Sequence, residues 1–317
     1  MKAFRTLLYY CYSHIQDGEQ YTAAHLKFCK SLKLTGRIII ADEGINGTVS
    51  GTPEACQLYM DYIYADGRFN ATEFKIDEVD EPSFYKIYCR YKTEIVYSGL
   101  KDPHYIDPAK ETGKHLEPKE FAEMMDRDDV VVLDVRSNYE HSVGKFKNAV
   151  TLDIRNFRDF PAMINKLAQY KDKKVLTYCT GGIKCEKASA LLLKEGFKDV
   201  YQLHGGIIKY GKEADGENFD GKCYVFDNRL LIDVNKVNPV EISSCGNCGV
   251  TTTKMINCAN PKCNKHFTQC AKCGWELNGA CCTPCKTHPR IRPYDGTGFY
   301  KKIVKPIVLK KELEVLV

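Results

Sequence analysis

The segment KKVLTYCTGGIKCEKA, residues 173–188, places a cysteine and two glycines between an apolar run and a helical pattern. Residues 173–178 predict a buried strand of a parallel sheet. Residues 185–195 predict a helix that ends at Gly196. The chain therefore passes from strand to helix at Cys179. Such a turn aims successive backbone N–H groups at one point, at the positive end of the helix dipole.

A cysteine in this turn is predicted to have a lowered pKa and to exist as the reactive thiolate. The glycine pair lets the backbone turn tightly and approach a ligand. We interpret Cys179 as the catalytic nucleophile, with Lys184 adding positive charge at the rim. The alternative is a buried structural cysteine beside a Gly-Gly turn. The predicted active-site loop comprises Thr180, Gly181, Gly182, Ile183 and Lys184.

The surrounding residues 120–220 indicate an α/β domain. Apolar runs at 130–135, 173–178 and 199–203 predict parallel strands with helices between them. Residues 1–98 predict the order βαββαβ with one extra strand, which is the split βαβ, ferredoxin-like arrangement. In its second helix Thr52 is the expected N-cap and Pro53 occupies the first turn. Residues 99–119 contain three prolines and are expected to be a linker.

Length and charge limit the number of domains and the kinds of partner that the chain can have. A chain of 317 residues suggests two or three domains, and we expect a mixed α/β and α+β multidomain protein. No apolar run reaches the length of a membrane helix and no signal peptide is evident, so a cytoplasmic protein without membrane association is expected. Residues 221–317 hold 15 Lys/Arg against 7 Asp/Glu, a balance of +8, whereas the rest of the chain is slightly acidic. A basic third suggests an acidic partner such as nucleic acid, although a merely solubilising tail explains it equally well.

The last third is also rich in cysteine. Nine of the 16 cysteines lie between Cys245 and Cys285, and paired cysteines at this spacing predict two structural Cys₄ zinc sites, with Cys281 left over. Interleaved pairing, first pair with third and second with fourth, is favoured over sequential pairing because it fixes a core-poor segment better. Unmetallated thiols or disulfides are the alternative. The predicted ligands are Cys245, Cys248, Cys258, Cys263, Cys270, Cys273, Cys282 and Cys285.

The end of the chain mixes aromatic and basic residues. Lys301, Lys302 and Lys305 follow Phe299-Tyr300 and are candidates for contacts with the RNA backbone. A solvated amphipathic tail is the alternative interpretation.

Four segments of the central domain together resemble the rhodanese domain. They are residues 134–140 (DVRSNYE), 144–149 (GKFKNA), the Cys179 loop and 203–207 (LHGGI). In that family the loop cysteine is a nucleophile or carries a persulfide, and the six-residue loop resembles that of the sulfur-transferring members. Asp134 and Arg136 are similar to the family's supporting pair. Cys185 either resolves a persulfide or fills the start of the helix.

Nearly the whole chain resembles the rhodanese-domain tRNA uridine hydroxylases, through residues 41–48 (ADEGINGT), 178–188 and the cysteine-rich third. The resemblance implies O₂-dependent hydroxylation of the wobble uridine in the tRNA anticodon loop, giving 5-hydroxyuridine. A thiosulfate or persulfide sulfurtransferase is the alternative. No flavin fingerprint and no local His-x-Asp/Glu segment is evident, so the sequence assigns no oxygen-activating cofactor. The oligomeric state is not assigned either. We hypothesise that the Cys179 thiolate adds to C6 of the uracil, with the loop amides and Lys184 stabilising the enolate.

Overall fold

The computed structural model describes residues 2–298 and 300. It divides into two compact units, Met1–Ser243 and Ser244–Val317. The tail residues Lys301, Lys302 and Lys305 lie outside the described residues. Within the described part of the chain, no helix combines the length and the apolar character that crossing a bilayer requires.

The N-terminal domain confirms the predicted split βαβ fold with one added strand. Its sheet order is β4-β1-β3-β2-β5, antiparallel throughout except for the parallel β2–β5 pair. Thr52 caps α2 by accepting a hydrogen bond from the backbone N–H of Ala55 at 3.3 Å. The elements are β1 Phe4–Tyr12, α1 Gly18–Ser31, β2 Thr35–Ala41, β3 Gly44–Gly51, α2 Pro53–Ala65, β4 Lys75–Val79 and β5 Ile87–Tyr91.

Side chains of this sheet alternate between two faces, as the strand geometry demands. On β1, Leu7 and Tyr9 are fully buried in the hydrophobic core of the domain. Their neighbours Leu8 and Tyr10 therefore lie on the second face, away from that core. Because of this alternation, the side chains of the second face are the ones available to contact the rest of the first unit.

The central domain contains the expected parallel sheet, in the order β6-β11-β10-β7-β9. The three strands predicted from apolar runs form its centre. β6 and the short 3₁₀ helix Pro103–Tyr105 both fall within the stretch that we interpreted as a linker. The elements are β6 Lys114–Leu116, α3 Pro118–Met125, β7 Val130–Asp134, α4 Asn138–His141, β8 Gly144–Phe146, β9 Val150–Thr151, a 3₁₀ helix Phe157–Tyr170, β10 Lys174–Tyr178, α5 Ile183–Lys194, β11 Asp199–Leu203 and α6 Gly206–Glu213.

Glycines mark both ends of α5. Gly182 precedes the helix at φ +102°, and Gly196 follows it at φ +87°. Both angles lie in the left-handed region, which side chains with a Cβ atom rarely adopt. Because β10 is the middle strand of its sheet, the loop between β10 and α5 lies at the centre of the carboxyl edge of the sheet, where ligands of such sheets bind.

Residues 221–243 pack with the first unit, whereas the sequence analysis grouped them with the cysteine-rich region. Strand β12, Phe219–Gly221, pairs with β8, and β13, Cys223–Tyr224, pairs with β14, Leu231–Ile232. Cys223 and Val234 are buried in the same hydrophobic cluster as Tyr178 and Tyr210. The central domain therefore needs this segment to complete its core.

The second unit is small and contains little regular structure. A hairpin of β15, Met255–Asn257, and β16, His266–Thr268, is followed by α7, Ala271–Glu276, and α8, Thr283–Lys286. A unit of this size has too little apolar core to stabilise itself fully, and metal sites commonly supply the missing stability.

Candidate active site

The Cys179 loop has the geometry expected of a site that binds an anion. Cys179 directly follows β10, and its Sγ accepts a hydrogen bond from the backbone N–H of Gly182 at 3.2 Å. The side chain is only 1% exposed. The sulfur is therefore held against the start of α5, where main-chain amides and the helix dipole favour negative charge.

The surroundings of Cys179 lower its pKa to about 6. Burial acts in the opposite direction, since it disfavours the charged form. It is outweighed by a hydrogen bond from the Cys185 thiol, by the positive charge of Lys184 and by the backbone N–H groups of Cys185 and Lys184. A thiol with this pKa is mainly thiolate at neutral pH, which is the nucleophilic form.

Cys185 is the partner thiol of Cys179. It is fully buried in the first turn of α5. Burial, and then the hydrogen bond to Cys179, raise the pKa of Cys185 well above its usual value. Cys185 therefore keeps its proton at neutral pH and donates it in a hydrogen bond to the Cys179 sulfur.

Lys184 has a carboxylate partner. Its Nζ donates to both carboxylate oxygens of Glu140, at 2.9 and 2.7 Å, and lies 5.1 Å from the centre of the Phe226 ring. Glu140 is fully buried. Lys184 therefore adds positive charge near Cys179, as predicted, and the Glu140 carboxylate partly compensates that charge.

Asp134 and Arg136 form a buried ion pair behind the loop. The Arg136 Nε and Nη2 donate to Asp134 at 2.9 and 2.7 Å, and the Tyr178 hydroxyl donates to Asp134 at 2.6 Å. Arg136 also donates to the backbone oxygen of Gly144 at 2.6 Å. These bonds join the ends of β7 and β10 to the start of β8. They are the kind of contact that holds a loop in place without touching its ligand.

The N-terminal domain covers the loop with the second face of its sheet. A Cβ atom at Gly181 would lie 2.7 Å from the Leu8 Cδ2, and one at Gly182 would lie 2.9 Å from the Tyr10 hydroxyl. Tyr10 also donates to the Glu186 carboxylate at 2.8 Å. Sequence reasoning missed both β1 side chains, although their alternation with buried Leu7 and Tyr9 places them on one face.

A buried lysine of α5 forms ion pairs with two glutamates of the N-terminal domain. Lys187, 2% exposed, donates to Glu94 at 2.6 Å and to Glu43 at 2.9 Å. Glu43 also accepts from the backbone N–H of Ile95 at 2.6 Å, and the Asn46 side chain donates to the Ile95 oxygen at 3.0 Å. These contacts give a physical role to segments 41–48 and 185–188, which carried the family resemblance.

Glu186 is the second residue of α5 that bonds to the N-terminal domain. Besides Tyr10, it binds three groups of the central domain and its preceding segment: His115 Nε2 at 2.9 Å, Gln202 Nε2 at 2.9 Å and Thr112 Oγ1 at 3.0 Å. Four hydrogen bonds saturate a buried carboxylate that would otherwise be costly to desolvate. The helix that follows the Cys179 loop is thus bonded to both domains within its first two turns.

Cysteines of the second unit form two four-sulfur clusters, each with all its sulfurs within 4.8 Å of one another. Sγ–Sγ distances of 3.7 Å for Cys248–Cys270 and 3.8 Å for Cys263–Cys281 are close to the edge of a tetrahedron with 2.3 Å metal–sulfur bonds. All 16 cysteines of the chain lie in the described residues and are free thiols. The clusters could each hold a metal ion. They comprise Cys245, Cys248, Cys270 and Cys273, and Cys258, Cys263, Cys281 and Cys285.

The second cluster differs from the prediction in one ligand. Its fourth member is Cys281 and not Cys282, which had been assigned while Cys281 was considered spare. Cys282 is the exposed N-cap residue of α8, and its backbone is fully extended there. The Cys282 sulfur lies 3.8 Å from that of Cys281, so Cys282 borders the cluster, but it is Cys281 that lies within 4.8 Å of all three other sulfurs. The interleaved arrangement of the pairs is the one that the structure contains.

The fold and the loop cysteine define a protein of the rhodanese class. The sequence model of the rhodanese-like domain matches residues 117–213. It is flanked by matches to the UPF0176 acylphosphatase-like domain over residues 4–95 and to the rhodanase C-terminal region over residues 220–286.

Full-length relatives define the family more narrowly. The chain is 63% identical over 302 residues to a Cytophaga hutchinsonii protein named tRNA uridine(34) hydroxylase, covering 95% of this chain and 96% of that one. Proteins of the same name from Streptococcus suis and Streptococcus pyogenes are each 46% identical and cover at least 93% of both chains. The chain belongs to the tRNA uridine(34) hydroxylase family.

Proposed function

We propose that this protein hydroxylates the wobble uridine of tRNA at C5, giving 5-hydroxyuridine, with O₂ as co-substrate and Cys179 as nucleophile. The observation that carries the proposal is a cysteine with a pKa of about 6, held by loop amides, in a chain whose relatives bear the name tRNA uridine(34) hydroxylase. A tRNA substrate and 16 free cysteines are both consistent with a cytoplasmic location.

The proposed chemistry begins with addition of the Cys179 sulfur to C6 of the uracil. A carbon–sulfur bond forms, and the C5–C6 double-bond electrons move toward the C4 carbonyl oxygen as an enolate, which makes C5 nucleophilic toward O₂. Bonding of O₂ to C5 gives a hydroperoxide, and an external dithiol supplies the two electrons and two protons that break its O–O bond, releasing water, leaving a hydroxyl on C5 and becoming a disulfide. Loss of the C5 proton and departure of the thiolate then restore the double bond. The amides at the start of α5 are suited to the developing negative charge, whereas the charge of Lys184 is already paired with Glu140.

The substrate must also displace the residues that bury the sulfur. Cys179 is 1% exposed, and Leu8 and Tyr10 of the N-terminal domain lie against its loop. We propose that these two side chains withdraw when the anticodon loop binds. The uracil can then leave its stack and enter, at low cost because the loop is single-stranded.

We propose that the two cysteine clusters bind zinc as structural sites. Four thiolates at tetrahedral distances are the ligand set that structural zinc prefers, and no fifth position is left for a substrate. The bound ion would contribute folding free energy to the second unit and no redox chemistry. Lys301, Lys302 and Lys305 remain proposed contacts with the RNA backbone.

Nucleoside analysis of tRNA tests the proposed function. A deletion strain is expected to lose 5-hydroxyuridine and its derivatives, and the wild-type gene but not Cys179→Ser is expected to restore them. Purified protein incubated with tRNA under ¹⁸O₂ should place one ¹⁸O in the modified uridine. Loss of thiolated nucleosides instead would favour the alternative, a persulfide sulfurtransferase, which the six-residue loop from Cys179 to Lys184 supports. Intact mass before and after cyanide treatment detects such a persulfide.

A further inference from the structure

The second face of the N-terminal sheet extends beyond the part that covers Cys179. Strand pairing places Leu8 opposite Thr48, Thr48 opposite Arg37, and Arg37 opposite Tyr88, so these four side chains form one row across β1, β3, β2 and β5. Paired residues share a face of the sheet. The row therefore begins at Leu8, against the nucleophile loop, and ends on the edge strand β5.

The next row follows the same path. Tyr10 is opposite Asn46, Asn46 is opposite Ile39, and Ile39 is opposite Arg90. We call Arg37, Tyr88 and Arg90, the outer members of the two rows, the Arg37 strip. With strands about 4.8 Å apart, Arg37 lies roughly 10 Å from Leu8 and Tyr88 roughly 14 Å from it. The strip is close enough for a chain entering the Cys179 loop to cross it.

The Arg37 strip is cationic and aromatic. Arg37 and Arg90 are exposed, and no carboxylate among residues 2–298 and 300 forms an ion pair with either of them. Tyr88 is 44% exposed, and the Arg90 guanidinium lies 5.5 Å from the centre of its ring. Other arginines of the first unit, such as Arg68 and Arg229, have aspartate partners. Two unpaired guanidinium groups beside an open ring are suited to phosphates and a stacked base.

The charge of Arg37 also acts on a residue that contacts the loop. Burial raises the pKa of Tyr224 to about 12, and the positive charge of Arg37 opposes that rise, so the two residues are within electrostatic range. The backbone oxygen of Tyr224 accepts a hydrogen bond from Thr180 Oγ1 at 3.3 Å. Arg37 therefore contributes to the electrostatic environment of a residue that is hydrogen-bonded to the Cys179 loop.

We propose that the Arg37 strip binds the single-stranded RNA that flanks the target uridine, with Arg37 and Arg90 on phosphates and Tyr88 stacked on a base. This inference rests on the proposed function and names the surface that positions its substrate. The strip acts on binding and has no contact with the reacting atoms. The opposite layer of the domain, formed by α1 and α2, has no part in it.

Binding of fluorescent tRNA at several salt concentrations tests the strip. The double variant Arg37→Gln/Arg90→Gln is expected to raise Kd about tenfold or more. It should also flatten the plot of log K against log salt by about 1.4, because about 0.7 is lost for each single-strand phosphate contact. The matched control Lys27→Gln/Lys30→Gln removes two exposed charges from α1, on the other side of the sheet. It is expected to leave Kd and the slope almost unchanged.

Tyr88 supplies a second test that is independent of charge. Tyr88→Ala is expected to weaken binding about tenfold without changing the salt slope, whereas Tyr88→Phe keeps the stacking surface and should bind like the wild type. Circular dichroism of each variant checks that the exposed edge strand still folds. In the hydroxylation assay the arginine double variant and Tyr88→Ala should show a raised KM for tRNA, and Tyr88→Phe should not.

The outcomes separate this proposal from the proposed function. If wild-type protein hydroxylates tRNA while both arginine and tyrosine variants bind it normally, the strip is not the RNA surface. Equal losses in the α1 control and the arginine variant would also overturn it, because they would indicate general electrostatic attraction. If wild-type protein binds tRNA through the strip but forms no 5-hydroxyuridine, the proposed function fails and the surface stands.

Discussion

The Cys179 loop and the cysteine clusters of the second unit use the same side chain in two different ways. At the loop a single sulfur is stabilised as an anion by a backbone N–H, a thiol and a lysine. In each cluster four sulfurs come within 4.8 Å of one another, and although N–H groups donate to some of them, four thiolates this close repel one another unless a cation is shared. The loop therefore favours a free thiolate, and the clusters favour a shared cation.

The two regions also differ in how they are covered. Cys179 belongs to the core of the central domain but is closed over by Leu8 and Tyr10 of a different domain. Cys258 and Cys273 are buried within their own small unit. A cover from another domain can move while the loop keeps its geometry, whereas opening a cluster dismantles it. This difference suits one region to turnover and the other to permanent structure.

The largest expected effect is at the nucleophile. Cys179→Ser should lower hydroxylation by ~10³-fold or more, because a serine hydroxyl at this site stays protonated at neutral pH. The rate of 5-hydroxyuridine formation by purified protein is the measurement. Cys56→Ser, at another buried cysteine, is the matched control and should stay active. Normal activity of Cys179→Ser would show that the Cys179 sulfur is not the nucleophile, and the functional contrast between the loop and the cysteine clusters would no longer hold.

Metal content separates the two adjacent cysteines of the second cluster. Cys281→Ser should lose one of two bound metal ions and destabilise the second unit, because three sulfurs bind zinc far more weakly than four. Cys282→Ser should keep both, since Cys282 is the exposed neighbour. Elemental analysis by mass spectrometry checks both variants. The opposite pattern would show that Cys282 is the ligand.

Breaking the fastening between α5 and the N-terminal domain should cost stability. Lys187→Met leaves Glu43 and Glu94 without their cation and is expected to lower the free energy of unfolding by about 3 kcal/mol. Lys198→Met is the control, because its pair with Asp172 is exposed to solvent and should contribute little to stability. Denaturant titration measures both. If Lys187→Met lowers the free energy of unfolding no more than the control does, the buried ion pairs do not hold α5 to the N-terminal domain.

The smallest effect is on the pH dependence. Cys185→Ala removes a hydrogen bond to the thiolate, so the pKa of Cys179 should rise from about 6 by roughly one unit. Activity increases as the thiol loses its proton, so the rising limb of the pH–rate profile should move to higher pH. Cys56→Ala should leave the limb in place. An unmoved limb in Cys185→Ala would assign the lowered pKa to the backbone amides and Lys184 alone.

Local patterns predicted most of the fold because they act over short distances. Strand β10, the glycine pair and the helix that ends at Gly196 were all evident between residues 173 and 196. The Thr52 cap was equally local. Residues 221–243 were grouped with the cysteine-rich third, since nothing in their own composition states that Cys223 and Val234 complete a core built from residues far away in the chain.

The site divides in the same way. Sequence alone predicted Cys179 as the nucleophile and two four-cysteine clusters in the last third, since both predictions follow from spacing along the chain. Only the tertiary structure decided that Glu140 neutralises Lys184, that Lys187 binds Glu43 and Glu94, and that Leu8 and Tyr10 close over Cys179. It also decided that Cys281, rather than the adjacent Cys282, completes the second group of four sulfurs. The physical reason is that pairing of charges and direction of side chains depend on which segments meet, and these segments are separated by many residues in the chain.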